Sequence, residues 1–146
     1  QTKIAMLKIT GADMVHGIPG ITEAYHTLSH RGSNYDFLRQ HEILDDYHLS
    51  QLARFLEKLE TANMLDDTIV LCTQAHGAQS QHSADNIPAF LFGGGFKHKQ
   101  TIDCMDSSGN LQYPTISLFS SILKQLGFRD TSFSGSSAVI PELFEA

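Results

Sequence analysis

Leu52, Phe55, Leu56 and Leu59 stand at i, i+3, i+4 and i+7, the spacing that brings apolar side chains onto one face of a helix. The pattern lies within residues 43–65 and predicts an amphipathic helix there. Asp45 and Asp46 fall near its expected start, where carboxylates can cap free amides and suit the positive end of the helix dipole. Asn63 and the Asp66-Asp67 pair close it. Residues 68–73, TIVLCT, follow as a β-branched apolar run typical of a strand covered on both faces.

Upstream, residues 3–9 (KIAMLKI) form a short apolar run ended by Gly11, which predicts an earlier strand. Strand, helix and strand in that order predict a right-handed parallel crossover. The expected fold class is therefore α/β, a parallel or mixed sheet flanked by helices. Residues 89–92 make another apolar run, ended by Gly93-Gly94-Gly95. That triple glycine lacks the spacing and the Lys-Ser/Thr pair of a P-loop and is expected to be a flexible turn. Residues 96–103 are expected to form a short edge strand with Lys97, His98 and Lys99 in solvent, and residues 107–110 a turn. Pro114, the apolar Ile116, Leu118, Phe119, Ile122, Leu123 and Leu126, and Gly127 beyond them predict another helix. Val139, Ile140, Leu143 and Phe144 give the tail enough apolar surface to dock on a core.

A chain of 146 residues with 41% hydrophobic content fits a single α/β domain, residues 1–146. Ten basic against 16 acidic residues give a net charge of -6, which argues against nucleic acid and against an anionic membrane surface as partners. No apolar span approaches the roughly 20 residues of a membrane helix. Cys72 and Cys104 provide neither a disulfide framework nor a cysteine-based zinc site. Beginning at Gln1 without an initiator Met or a leader, the chain reads as processed or as part of a longer protein.

The chemistry concentrates in His26-Thr27-Leu28-Ser29-His30-Arg31-Gly32. If residues 23–30 make a helical turn or two, His26 and His30 project from one face and can hold one metal ion. The apolar run at 68–73 leads almost directly to His76 and then His82, with Asp85 beyond. Ligands collect outside the carboxyl ends of parallel strands, so both histidine groups are expected on one rim. There His26, His30, His76 and His82, joined by Asp85, Asp13 or Glu23, would suit zinc, iron or manganese.

Each residue also has a plainer role open to it. His26 and His30 can be a hydrogen-bonded pair fixing a loop, His76 can cap strand-end carbonyls, and His82 can be an ordinary loop histidine. His48 can pack at the core edge or reach the site, and His16, His41 and His98 read as surface residues. Ser29 can serve as a nucleophile or as a hydroxyl steadying a ligand, and no G-x-S-x-G elbow surrounds it. Arg31 can hold a phosphate or sulfate oxygen, or pair with Asp36 or Glu23.

His26-Thr27-Leu28-Ser29-His30 resembles the motif of a bacterial family of uncharacterised function named for its HXXSHH sequence. Phe55-Leu56-Glu57-Lys58-Leu59, Leu65-Asp66-Asp67-Thr68-Ile69-Val70-Leu71 and His82-Ser83-Ala84-Asp85-Asn86-Ile87-Pro88, running on to Gly93-Gly94-Gly95, resemble that family in the same order. The likeness covers about residues 25–133, and Arg31 departs from it by standing at the final histidine. The family is similar in turn to the sulfatase and alkaline-phosphatase superfamily. There an Asp-His-Gly after a strand and an Asp/His pair at i,i+4 supply metal ligands. Against that pattern His76-Gly77 and His30 match, whereas Ala75 and His26 stand at the two acidic positions.

The resemblance implies the C-terminal part of an alkaline-phosphatase-like fold, with a periplasmic or secreted setting. It implies a metal-dependent phosphate- or sulfate-ester hydrolase with an altered site, taking a small anionic ester or anion. Ligation falls to His26, His30, His76 and His82, with Ser29, Arg31, Asp85 and His48 near the substrate or the ligands. The superfamily's nucleophile and further metal-binding Asp residues belong to an N-terminal half without a counterpart here, so no catalytic residue is assigned. The alternative is a binding or structural domain that retains the scaffold without the chemistry.

Overall fold

The computed structural model describes residues 3–9, 11, 13–30, 32–77, 79–98, 101–132, 135 and 138–144. Two compact units are distinguished by their internal contacts, Gln1–Lys58 with Gln74–Ile87, and Leu59–Thr73 with Pro88–Ala146. The elements in chain order are α1 (Tyr25–Ser29), α2 (Tyr35–Thr61), β1 (Ile69–Thr73), β2 (Ala89–Gly93) and α3 (Thr115–Gln125). Short 3-10 turns lie at Gln79–Gln81 and Pro141–Leu143.

The first unit is built on α2. This helix starts at Tyr35, upstream of the expected residue 43, because Asn34 caps it: Asn34 Oδ1 accepts from the amides of Asp36 and Phe37 at 3.0 and 3.2 Å. Asp45 and Asp46, expected as caps, are instead exposed in the helix interior. Phe37, Gln40, His41 and Leu44 form the inward stripe of the first turns. Leu44 joins Leu28 of α1 and Ile21 of the preceding loop in the core, with Ile18, Tyr25, Phe37 and Ile43 packed against them. Leu28 and Leu44 are fully buried. Farther along, Phe55 is about half exposed despite its place in the apolar stripe, and Asn63 ends the helical path with φ 52°.

Residues 3–9 form no strand, and Ile4, Met6 and Leu7 are almost wholly exposed. The expected parallel pairing of this run with residues 68–73 is therefore corrected. An apolar run becomes a strand only where a free edge is offered to it. In the second unit β1 instead pairs antiparallel with β2, in the register Ile69↔Gly93 to Thr73↔Ala89. The faces of β1 are half-buried rather than covered.

The core of that unit is Phe96, Ile140 and Leu143, with Ile69, Leu91, Ile102, Leu118, Ile122 and Phe144 against it. The tail docks as expected from its apolar residues: the Lys97 amide donates to the Leu143 carbonyl at 2.8 Å, and Lys124 Nζ lies 4.2 Å from the centre of the Phe144 ring. The described part of residues 96–103 is not a strand. The triple glycine forms the expected turn, with Gly94 hydrogen-bonded on both sides of its backbone. Gly94 receives Gln125 Nε2 on its carbonyl at 2.6 Å and donates its amide to Leu65, while a Cβ at Gly93 would collide with the Leu65 and Thr68 carbonyls. Among the described residues, no helix is long and apolar enough to cross a membrane.

Candidate metal centre

His26 lies in α1 and His30 caps its C-terminus, so the i,i+4 spacing puts both rings on the same side of a single turn. That turn is short and depends on tertiary support. Leu28, between the two histidines, anchors it in the core. The Ser29 hydroxyl closes it by donating to the His26 carbonyl at 2.7 Å. Just upstream, buried Gln40 of α2 accepts with Oε1 from the amides of Thr22 at 2.9 Å and Glu23 at 3.2 Å. Its Nε2 donates to Thr22 Oγ1 and to Asp36 Oδ2. An extended bridge between Val15 and Ala24 completes the support.

The other side of the site is the Gln74–Ile87 segment of the same unit. The Gly77 amide donates to the Ser83 carbonyl at 3.0 Å, closing a loop that sets His76 and His82 side by side, with ring centroids 5.2 Å apart. His82 and Asn86 take left-handed backbone angles, φ 52° and 53°, a region in which histidine and asparagine are tolerated better than bulkier residues. A Cβ at position 77 would collide with the Asp85 and Asn86 carbonyls, so glycine is required there.

His26, His30 and His82 each present a ring nitrogen within 4.8 Å of the other two, and all are exposed. The Nε2 atoms of His26 and His30 are 3.0 Å apart, a hydrogen bond in which one ring donates and the other accepts. The three centroid separations are 4.8, 5.3 and 4.8 Å. Imidazoles bound to one ion at about 2.0–2.1 Å, spread tetrahedrally, have centroids roughly 5 Å apart. The three rings could share a transition metal once their nitrogens, now within 4.8 Å, close to the roughly 3.4 Å that such bonds require. The His82 pKa lies below the ordinary imidazole value, first through partial desolvation and then through the neighbouring His30, His76 and His26. A neutral ring is the form that binds a metal.

The other candidates divide. His76 stacks near His82 but is outside the three-residue group. Asp85 is exposed, and its Oδ2 accepts from Ser83 Oγ at 2.6 Å; neither it nor Asp13 nor Glu23 belongs to the group. Ser29 is buried with its hydroxyl committed to the backbone, which does not suit a nucleophile. Arg31 lies outside the described residues. His48 is half-buried beside His16, ring centroids 5.6 Å apart, and does not belong to the group. His41, expected at the surface, is buried against Tyr25, whereas His98 is exposed with Nε2 2.9 Å from the Gly93 carbonyl.

Residues 3–9 are not a strand, so the two histidine groups do not share a rim of parallel strands. The histidines meet through α1 and the Gln74–Ile87 loop. Gln40 gives no signal of its role in the sequence, because a polar residue on the inward stripe reads as an outward one. No protein-family model, no curated protein and no solved structure matches the chain.

Proposed function

We propose that the first unit binds a divalent transition metal through His26, His30 and His82, and that the bound ion engages a small anionic ester. The observation that carries this is the convergence of three ring nitrogens within 4.8 Å on two separately anchored segments. Three neutral donors leave the charge of a dication uncompensated, so a bound ion would supply Lewis acidity and attraction for a phosphate or sulfate group. The chain's own part is to hold the rings in place: Leu28 and Gln40 fix α1, and the Gly77–Ser83 bond fixes the loop.

The resemblance to the HXXSHH family, and through it to the sulfatase and alkaline-phosphatase superfamily, supports placing the chain as the C-terminal part of a metal-dependent ester hydrolase. A second reading, a binding domain without chemistry, is favoured by Ser29, whose hydroxyl is held by the His26 carbonyl, and by the lack of a carboxylate in the group. Calorimetric titration of the chain with zinc, alone and as His30→Ala, tests the metal reading. Saturable binding that weakens at least tenfold in the variant is expected; no binding by the parent refutes it. Turnover of an aryl phosphate or aryl sulfate by the zinc-loaded chain, abolished by His30→Ala, would favour the hydrolase. Binding of the ester without turnover would favour the second reading.

A further inference from the structure

Resting on that metal reading, we infer that the centre is an all-imidazole site that takes zinc or copper(II) and rejects manganese, magnesium and calcium. Among the described residues, the side chains that converge are histidines alone, although carboxylates stand close in sequence on both segments. Glu23 precedes α1 and Asp85 follows His82. Glu23 lies outside the group. Asp85 turns its Oδ2 onto the Ser83 hydroxyl at 2.6 Å, and its amide donates back to Ser83 Oγ at 3.1 Å. This closed turn ties the carboxylate to its own loop.

Ion choice follows from the donors. Magnesium and calcium give up hydration water for anionic and carbonyl oxygens, and manganese shares that preference, so three neutral nitrogens offer them little. Imidazole nitrogen suits zinc and copper(II), and the ring separations of 4.8–5.3 Å agree with several imidazoles on one such ion. Exposure of all three rings leaves the remaining coordination positions to solvent or to an incoming anion.

The test uses the whole chain with the metals themselves as probes. Manganese binding is read from water-proton relaxation, zinc and copper(II) binding from calorimetry, and the number of nitrogens on copper(II) from its electron paramagnetic resonance. Three equatorial nitrogens, with no relaxation enhancement by manganese at concentrations that saturate the site with zinc, are expected. Asp85→Asn should leave zinc affinity within about threefold of the parent, as should His98→Ala, neither residue belonging to the group. Manganese bound one per chain and displaced by zinc, or a loss of zinc affinity of tenfold or more in Asp85→Asn, overturns the all-imidazole assignment while leaving the metal site in place. Failure of both zinc and copper(II) to bind overturns the metal reading and this inference with it.

Discussion

Gln40 reaches from α2 to the chain just ahead of α1, its Oε1 2.9 Å from the Thr22 amide and 3.2 Å from that of Glu23. One buried side chain therefore satisfies two backbone donors at the entrance to the turn that carries His26. Gln40→Leu leaves those amides, on exposed Thr22 and half-buried Glu23, without their acceptor, which costs about 1 kcal/mol. Urea unfolding should show a loss of that size. Zinc affinity should fall as well, although Gln40 does not belong to the histidine group.

Gly77 tests the other side of the site. In Gly77→Ala the new methyl meets the Asp85 and Asn86 carbonyls, so the loop must open and carry His82 with it. Zinc affinity is expected to fall at least about tenfold, which is 1.4 kcal/mol. Gly17→Ala, whose Cβ meets nothing within 4 Å, is the control and should bind zinc like the parent. Equal affinity in Gly77→Ala would show that the loop does not set the position of His82.

On α3, two buried serines one turn apart should respond in opposite ways. Ser121 Oγ donates to the Ser117 carbonyl at 2.7 Å and accepts from the Ile140 amide at 2.9 Å, holding the tail. The Ser117 hydroxyl is fully buried and has no hydrogen-bond partner among the described residues. Ser121→Ala should destabilise by about 1–3 kcal/mol, because it strands the Ile140 amide, whereas Ser117→Ala should be neutral or stabilising. Thermal unfolding of the two variants distinguishes them.

The sequence made some of these relationships visible and hid others for identifiable reasons. The i,i+4 spacing of His26 and His30 needed only one helical turn to bring the rings together, so that pair was legible. The start of α2 was not, because Gln40 and His41 occupy inward positions beside Phe37 and Leu44, and a hydrophobic count registers polar residues there as outward. Residues 3–9 had the composition of a strand, yet pairing depends on an edge elsewhere in the chain. The approach of His82 to α1 depends on the Gly77–Ser83 closure, a long-range consequence that periodicity does not encode.

His48 sets a pH dependence of stability. Burial, then the neighbouring His16, lower its pKa below the ordinary value of 6.5, with Asp45 opposing. The unfolded chain then binds the proton more readily than the folded one. The contribution to stability is complete above the unfolded value, and it is lost as pH falls through the lower folded value. Unfolding midpoints should therefore decline on acidification below about pH 6.5, with a smaller decline in His48→Gln. Equal slopes for parent and variant would assign the effect to other groups.

Joint binding of one ion by His26, His30 and His82 is open to nitrogen-15 spectra of the histidine side chains recorded during zinc titration. One zinc per chain is expected, with ring-nitrogen shifts of metal ligation at His26, His30 and His82 and none at His41 or His98. Saturation without ligation shifts at these three rings, or with shifts at only one of them, would contradict it.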